Sequence, residues 1–291
     1  MPELPEVETI RSDLKSSILN KKIQKIEILD DKVIGKDSKK GYFSLKGLKI
    51  TAIERQGKLL AFLLSNNKYL LTHLKMTGQL VLKDNKDIIA GGHSFSAKDK
   101  SAAIGSSLPN KHTRFVIYFS NKKALFFNDI RRFGYVSLVN EKEWLEIKSK
   151  YGPEPLKKEF TLSKLESIFK NRKAPIKATL LNQKLISGLG NIYVDEALFL
   201  AQVDPRRETK SLSKKELERL YKAIVKVIKE AIKYRGTTFS DYVDSKGKAG
   251  NFSNRLKVFG KQGDKCAKCD SVIKKIKVAG RGTHICENCQ N

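Results

Sequence analysis

Acidic side chains are scarce in this 291-residue chain: 31 Asp and Glu stand against 58 Lys and Arg, a formal charge of +27. That excess points to a polyanion partner, either nucleic acid or an anionic membrane. A long apolar run is also missing. None is long enough to span a bilayer, and no amino-terminal pattern of charge, apolar stretch and cleavage site marks an export signal. An intracellular nucleic-acid protein is therefore the leading class. Cysteine is absent until residue 266, and all four cysteines fall in the last 26 residues. Such clustering points to a metal rather than to a disulfide framework. The length allows two domains and a real core.

What is present begins with Met1-Pro2-Glu3-Leu4-Pro5-Glu6-Val7-Glu8. Removal of Met1 turns Pro2 into a free secondary amine. An α-amine titrates at about 8, so a neutral fraction exists near pH 7. Attack of such an amine on a sugar C1′ leads to a cationic iminium, a form of covalent catalysis. Glu3 beside it is a candidate proton donor. Pro5 suits the first turn of a helix, where its missing N–H is an orphan anyway. Glu6 and Glu8 favour the positive end of that helix. Val7, Ile10, Leu14 and Ile18 form one apolar stripe that would dock the helix and hold the terminus still. The plainer alternative is an ordinary capped surface helix.

The first half reads as strands. Ile23 to Ile28, Leu48 to Arg55, Arg114 to Phe119, Ala124 to Phe127 and Arg132 to Val139 are short strand-like runs. Lys58 to Leu64 and Tyr69 to Leu74 flank Ser65-Asn66-Asn67-Lys68 as a hairpin, and Asn121-Lys122 marks another. Several short strands with turn signals indicate a β-sandwich or barrel-like domain. Asp84 to Asn110 has little periodicity and reads as a mobile surface loop.

Some residues in this half carry two readings. Lys58, after Gly57, is either a solvated strand-end lysine or a group that holds phosphate or moves protons. Met76, in His73-Leu74-Lys75-Met76-Thr77-Gly78, is either core or a loop-tip wedge for stacked bases. Asp129-Ile130-Arg131-Arg132-Phe133-Gly134 is either a turn with a core Phe or a second wedge. In the latter, Arg131 replaces hydrogen bonds to an orphaned base and Phe133 enters the stack.

Gly152-Pro153-Glu154-Pro155 reads as a linker to a helical second half. Ser163 and Glu166 make a capping-box pattern, and a further helix starts near Pro175 and runs through Leu185. Ser187-Gly188-Leu189-Gly190-Asn191 is a tight turn before a helix from Ile192 to Ala201. This is a structural αα-hairpin or a DNA-binding helix-turn-helix arrangement, with Asn191 and backbone N–H groups placed for a phosphate. The net charge favours DNA. Ser213 with Glu216 caps a long helix closed by Gly236. Thr237 to Phe252 is polar and reads as a mobile loop.

Cys266-x2-Cys269, sixteen residues, then Cys286-x2-Cys289 has the spacing of a four-cysteine zinc ribbon. All four ligand positions are filled, so the metal is expected to be structural. Between the knuckles, Ala279-Gly280-Arg281-Gly282-Thr283 looks like a hairpin tip presenting Arg281 as a phosphate clamp, or simply as a solvated turn residue.

Taken together, the start motif through Thr9, Gly57-Lys58, His73 to Gly78, Asp129 to Gly134, Gly188 to Tyr193 and the ribbon with Arg281 resemble the bacterial formamidopyrimidine-DNA glycosylase family over nearly the whole chain. The resemblance implies an α+β multidomain fold. Residues 1–145 would form a catalytic β-sandwich with a leading helix, and 146–158 a linker. Residues 159–254 would form a helix–two-turn–helix domain, and 255–291 a zinc-finger β-hairpin, with DNA in the cleft between halves. It implies excision of oxidised purines such as 8-oxoguanine and formamidopyrimidines, followed by β,δ-elimination at the abasic site. Pro2 would be the Schiff-base nucleophile, Glu3 the proton donor and Glu6 a supporting group. Lys58 would act in β-elimination, and Arg281 on the lesion phosphate and in δ-elimination. Met76, Arg131 and Phe133 would fill the hole left by the flipped nucleotide; His112, Arg172 and Asn191 match DNA-contacting positions. Thr237 to Phe252 matches the loop over an everted purine. Cys266, Cys269, Cys286 and Cys289 would hold one structural Zn2+. The partner would be double-stranded DNA with a damaged base or abasic site, met by a cytoplasmic, nucleoid-associated bacterial monomer that uses no membrane. Two features depart from the family: a long Asp84 to Asn110 segment, and Thr113-Arg114 after His112 where an acidic residue is usual. The related endonuclease VIII type, acting on oxidised pyrimidines, and a non-catalytic DNA-binding protein on the same scaffold are the alternatives.

Overall fold

Alternation of apolar and polar side chains puts one face of each early strand into a common core. The computed structural model describes residues 2–84, 87–92, 108–237 and 251–291, which fall into two compact units. The first comprises Met1–Ser149 with Tyr234–Ser253, and the second Lys150–Lys233 with Asn254–Asn291.

The first unit opens with helix α1 (Leu4–Ile18). Its strands are β1 (Ile23–Ile28), β2 (Ile50–Gln56), β3 (Leu59–Leu64), β4 (Tyr69–His73), β5 (Gly78–Asp84), β6 (Asp87–Gly92), β7 (Thr113–Phe119), β8 (Ala124–Asp129) and β9 (Tyr135–Val139). A short helix, α2 (Lys39–Phe43), follows β1, and α3 (Glu141–Ser149) follows β9. The strands form two sheets, ordered β1-β7-β8-β5-β6 and β2-β3-β4-β9. All of the pairings are antiparallel.

Alternate residues of both sheets meet in one core. Leu60, Phe62 and Leu64 of β3 join Leu80 and Leu82 of β5, Phe115 and Ile117 of β7, and the α1 stripe Val7, Ile10, Leu14 and Ile18. The opposite face of β3 is covered as well: Leu59 and Ala61 pack with Tyr69, Leu71 and Trp144 of α3. This is the expected sandwich with its leading helix. Both expected hairpins are present, with Asn67 and Lys122 supplying the left-handed turn residues at φ 61° and 64°.

Several local expectations change. The Asp84 to Asn110 stretch contains β6, paired with β5 along its whole length, because Ile88-Ile89-Ala90 suits an edge strand. Residues 85–86 and 93–107 of that stretch, and 238–250 of the second expected loop, lie outside the described residues. Strand β9 starts at Tyr135 rather than Arg132, since Arg132 turns left-handed at φ 59°. Helix α3 has no counterpart among the expected elements, although Asn140 and Glu143 cap it reciprocally at 2.7 and 2.9 Å.

The second unit contains α4 (Leu162–Phe169), α5 (Ile176–Leu181), α6 (Asn191–Ala201) and α7 (Lys214–Lys233), with a hairpin of β10 (Lys274–Val278) and β11 (Arg281–Ile285). The cap of α4 is Thr161, whose hydroxyl accepts from Lys164 N–H at 3.1 Å; Ser163 lies inside the helix. Helix α5 stops at Leu181, short of Leu185, because the chain breaks into two turns there. Asn182 C=O accepts from Leu185 and Ile186 N–H. The Gln183 side chain then staples Gly188 N–H and Leu189 C=O at 2.9 and 2.8 Å. The Ser213–Glu216 box is present as expected. Among the described residues no helix is long and apolar enough to cross a membrane.

Phe62 is 1% exposed in the sandwich core, and Phe62→Ala should cost about 3–5 kcal/mol. Trp144, the only tryptophan, reports on this unit's melting. Urea unfolding followed by its fluorescence should show the lowered midpoint; an unchanged midpoint would contradict the packing described.

Candidate active site

Pro2 and Glu3 are buried at the start of α1, which places the amino-terminal end of the chain in a fixed environment. Glu6 Oε2 accepts from Glu3 N–H at 2.9 Å, while Glu6 Oε1 accepts from the Thr237 N–H and hydroxyl at 2.8 and 3.0 Å. Gly236 passes so close that an added Cβ would sit 2.6 Å from Glu6 Oε1. Glu6 thus joins the chain's first turn to its residues 236–237.

Lys58, also buried, sits in the turn between β2 and β3 beside Gly57 at φ 56°. A side-chain relay ties this turn to α1. Glu8 Oε2 accepts from Arg55 Nε at 2.8 Å, and Arg55 Nη1 donates to the Gly57 carbonyl at 2.8 Å. Burial acts to raise the Glu8 pKa, but bonds from Arg11 and Arg55 outweigh it and hold the carboxyl below its usual range. The turn that carries Lys58 is thereby tied to the helix that follows Pro2 and Glu3. Arg55 escapes a reading of the sequence, where nothing local distinguishes it from other strand arginines.

His73 ends β4 and enters the sequence reading only within its motif. Its Nδ1 accepts from Lys75 N–H at 2.9 Å and its ring lies 5.7 Å from the Tyr135 ring. Burial, then the charges of Lys75 and Lys58, push its pKa down to about 3. The ring is a neutral Nε2–H tautomer over the physiological range.

Met76, Arg131 and Phe133 are all exposed, on two neighbouring turns. Phe133 is 54% exposed and the Arg131 guanidinium lies 4.8 Å from its ring. Neither Met76 nor Phe133 is core. Arg132 is instead pinned to Asp30 by two bonds, of 2.5 and 2.7 Å. His112, half-buried, gives its carbonyl to Asp129 N–H.

In the second unit, the four cysteine Sγ atoms lie within 4.8 Å of one another. Tetrahedral zinc with bonds of about 2.3 Å sets sulfurs about 3.8 Å apart. Cys266 and Cys289 are 3.9 Å apart, and Cys269 is 3.4 Å from both Cys286 and Cys289. The donor set fits one structural zinc with no place left for water. Phe199, Val258 and Ile273 pack around the sulfurs.

Arg281 is exposed as the first residue of β11, just past the tip formed by Ala279 and Gly280. The residues behind it are held firmly. Fully buried Lys177 donates to Asp195 at 2.5 Å, to Gly282 C=O at 3.0 Å and to Thr283 Oγ1 at 2.8 Å. Asn191 Nδ2 adds a bond to the same Gly282 carbonyl at 2.9 Å. Asn191 and Arg281 are thus brought together. Arg172 is exposed and caps α4 through its Ile168 carbonyl at 2.5 Å.

The three parts of this arrangement match three family models in chain order. The Formamidopyrimidine-DNA glycosylase N-terminal domain covers residues 1–136, its H2TH domain 151–243, and the Zinc finger found in FPG and IleRS 263–291. The formamidopyrimidine-DNA glycosylase of Desulfitobacterium hafniense is 41% identical over 293 residues, covering all of both chains. That of Carboxydothermus hydrogenoformans is 42% identical over 291 residues, again covering both completely. The chain belongs to the formamidopyrimidine-DNA glycosylase family. Among solved members, Lactococcus lactis Fpg bound to abasic-site DNA is 35% identical, with a TM-score of 0.86 over 99% of each chain. A point mutant of the Lactococcus protein bound to Fapy-dG DNA is 34% identical, with a TM-score of 0.87 over 99% of each chain.

The lowered His73 pKa has a sign. The unfolded chain takes up the proton first, so the residue's contribution to stability is complete above 6.5 and shrinks as pH falls toward about 3. In NMR, the His73 ring carbon should stay at its neutral position to about pH 4. Titration near 6.5 would contradict the environment described.

Proposed function

We propose that the chain excises oxidised purines, 8-oxoguanine and formamidopyrimidines, from duplex DNA and then cuts the strand at the abasic site. Family membership supports the reaction class. The observation that carries the residue-level reading is the bracing of α1, which begins beside Pro2 and Glu3, to the turn bearing Lys58. The DNA complexes of the Lactococcus relatives support the same partner. The protein would act as a monomer on nucleoid DNA.

The chemistry follows from these groups. With Met1 removed, the Pro2 nitrogen attacks C1′ and the bond from C1′ to the base breaks. The base departs with the bonding pair and takes up a proton, while the Pro2 nitrogen gives up its N–H proton and so regains its lone pair. Glu3 protonates the ring oxygen, the C1′–O4′ bond breaks, and the nitrogen lone pair closes the iminium. The iminium acidifies the C2′ proton. Its loss, aided by Lys58, expels the 3′ phosphate; a second elimination expels the 5′ phosphate, with Arg281 bound to it. Extruding the nucleotide costs a few kcal/mol, and Met76, Arg131 and Phe133 offset this by filling the gap. His112, Arg172 and Asn191 hold phosphates. The zinc supplies no chemistry; it shapes the hairpin that presents Arg281.

Borohydride should trap a covalent adduct between the mature protein and an 8-oxoguanine duplex. Pro2→Gly should lower its yield at least about tenfold. No adduct with the mature wild type, or a stronger one on a thymine glycol duplex, would overturn the assignment.

A further inference from the structure

Asp129 ends β8 with no exposed surface, and no Lys or Arg side chain among the described residues pairs with its carboxylate. Its charge is met by hydrogen bonds alone. Oδ1 accepts from the Thr77 hydroxyl and from Arg131 N–H at 3.2 Å, and Oδ2 accepts from Gly134 N–H at 2.7 Å. The Thr77 oxygen in turn accepts from Arg131 N–H at 3.0 Å. The backbone of Asp129 is held too: its N–H donates to the His112 carbonyl at 2.9 Å, and its carbonyl accepts from Arg114 Nε at 2.9 Å.

These partners adjoin the residues assigned to the gap. Thr77 follows Met76, the Arg131 amide carries the Arg131 side chain, and Gly134 follows Phe133. Space around the hub is tight: a Cβ on Gly134 would sit 2.6 Å from Phe127 Cζ, and one on Gly78 would sit 2.4 Å from the Leu74 carbonyl oxygen. A buried carboxylate is a costly way to fix a turn unless every acceptor is used. An amide cannot replace it. Asn offers one oxygen: with its NH2 toward Gly134 the Gly134 N–H loses its acceptor, and with its NH2 toward Thr77 the Thr77 hydroxyl loses its own.

We infer that Asp129 is a positioning residue that holds Met76, Arg131 and Phe133 as one rigid wedge, so that the two turns enter the base stack together. The inference rests on the proposed function for its consequence, but its geometry is independent of it. Loss of the anchor should hinder eversion of a paired base more than reaction at a site that has no base to evict. Asp129 therefore controls the first stage of the reaction selectively.

The test uses the full-length, zinc-loaded protein with Asp129→Asn and, as a milder change, Thr77→Val. Single-turnover rates are measured on an 8-oxoguanine:cytosine duplex and on the same duplex with a preformed abasic site. The ratio of base release to abasic-strand cleavage should fall at least about tenfold in Asp129→Asn, and less, in the same direction, in Thr77→Val. Equal loss on both substrates, or no loss, overturns the inference. If Asp129→Asn does not fold, Thr77→Val decides by the same ratio. Hydrogen exchange at the Arg131 and Gly134 amides gives a reading without activity: faster exchange in the variants supports the anchor and unchanged exchange overturns it. A wild type inactive on both duplexes would sink the proposed function, leaving exchange to judge the anchor.

Discussion

The ion pair between Glu8 and Arg55 determines what the front of this chain can do. A helix of fifteen residues that begins two residues past Pro2 has to be fixed in rotation as well as in depth. Apolar burial of Val7, Ile10, Leu14 and Ile18 sets the depth. A directional contact is needed for rotation, and the bond from Arg55 to Glu8, with the Arg55 side chain only 6% exposed, provides it. A largely desolvated pair of this kind is worth more than a surface bridge. Because the same guanidinium donates to the Gly57 carbonyl, rotation of the helix and placement of the turn that carries Lys58 are coupled through one side chain.

The second unit meets a related problem in its cysteine ribbon, which has no large core of its own. Its ribbon is too short to bury much apolar surface, and four sulfurs around one zinc replace that surface. The hairpin still has to be aimed. Lys177, Asp195 and Thr283 form a fully buried polar network, and Glu196 accepts three backbone N–H bonds from residues 257–259 at the approach to the ribbon. Such a network stabilises little by itself but tolerates few alternative arrangements, so the hairpin that carries Arg281 is held in one position.

Much of this is legible in the residues. Strand alternation locates the sandwich, and the turn residues Asn67 and Lys122 locate its hairpins, because both signals are local. The ribbon is legible because zinc dictates ligand spacing. Pro2 and Glu3 by themselves read as an ordinary capped helix start, and only the motifs further along the chain raise them to candidates. The braces behind these groups are not legible. Arg55 meets Glu8 across 47 positions, Thr77 meets Asp129 across 52, and Lys177 meets Thr283 across 106. Partners so distant leave no periodic trace in one sequence. Helix α3 is a different case: its Asn140-x-x-Glu143 cap is a local signal, hidden only by the brevity of the helix that follows it.

The central claim is that the reacting nitrogen is that of Pro2, held still by α1. Its most direct test is to digest the borohydride-reduced protein–DNA conjugate and locate the modified residue by mass spectrometry. The account predicts a single modified peptide that begins at Pro2, lacks Met1 and carries the reduced sugar on its terminal nitrogen. A sugar found on Lys58 or another lysine, or an active protein that still retains Met1, would contradict it.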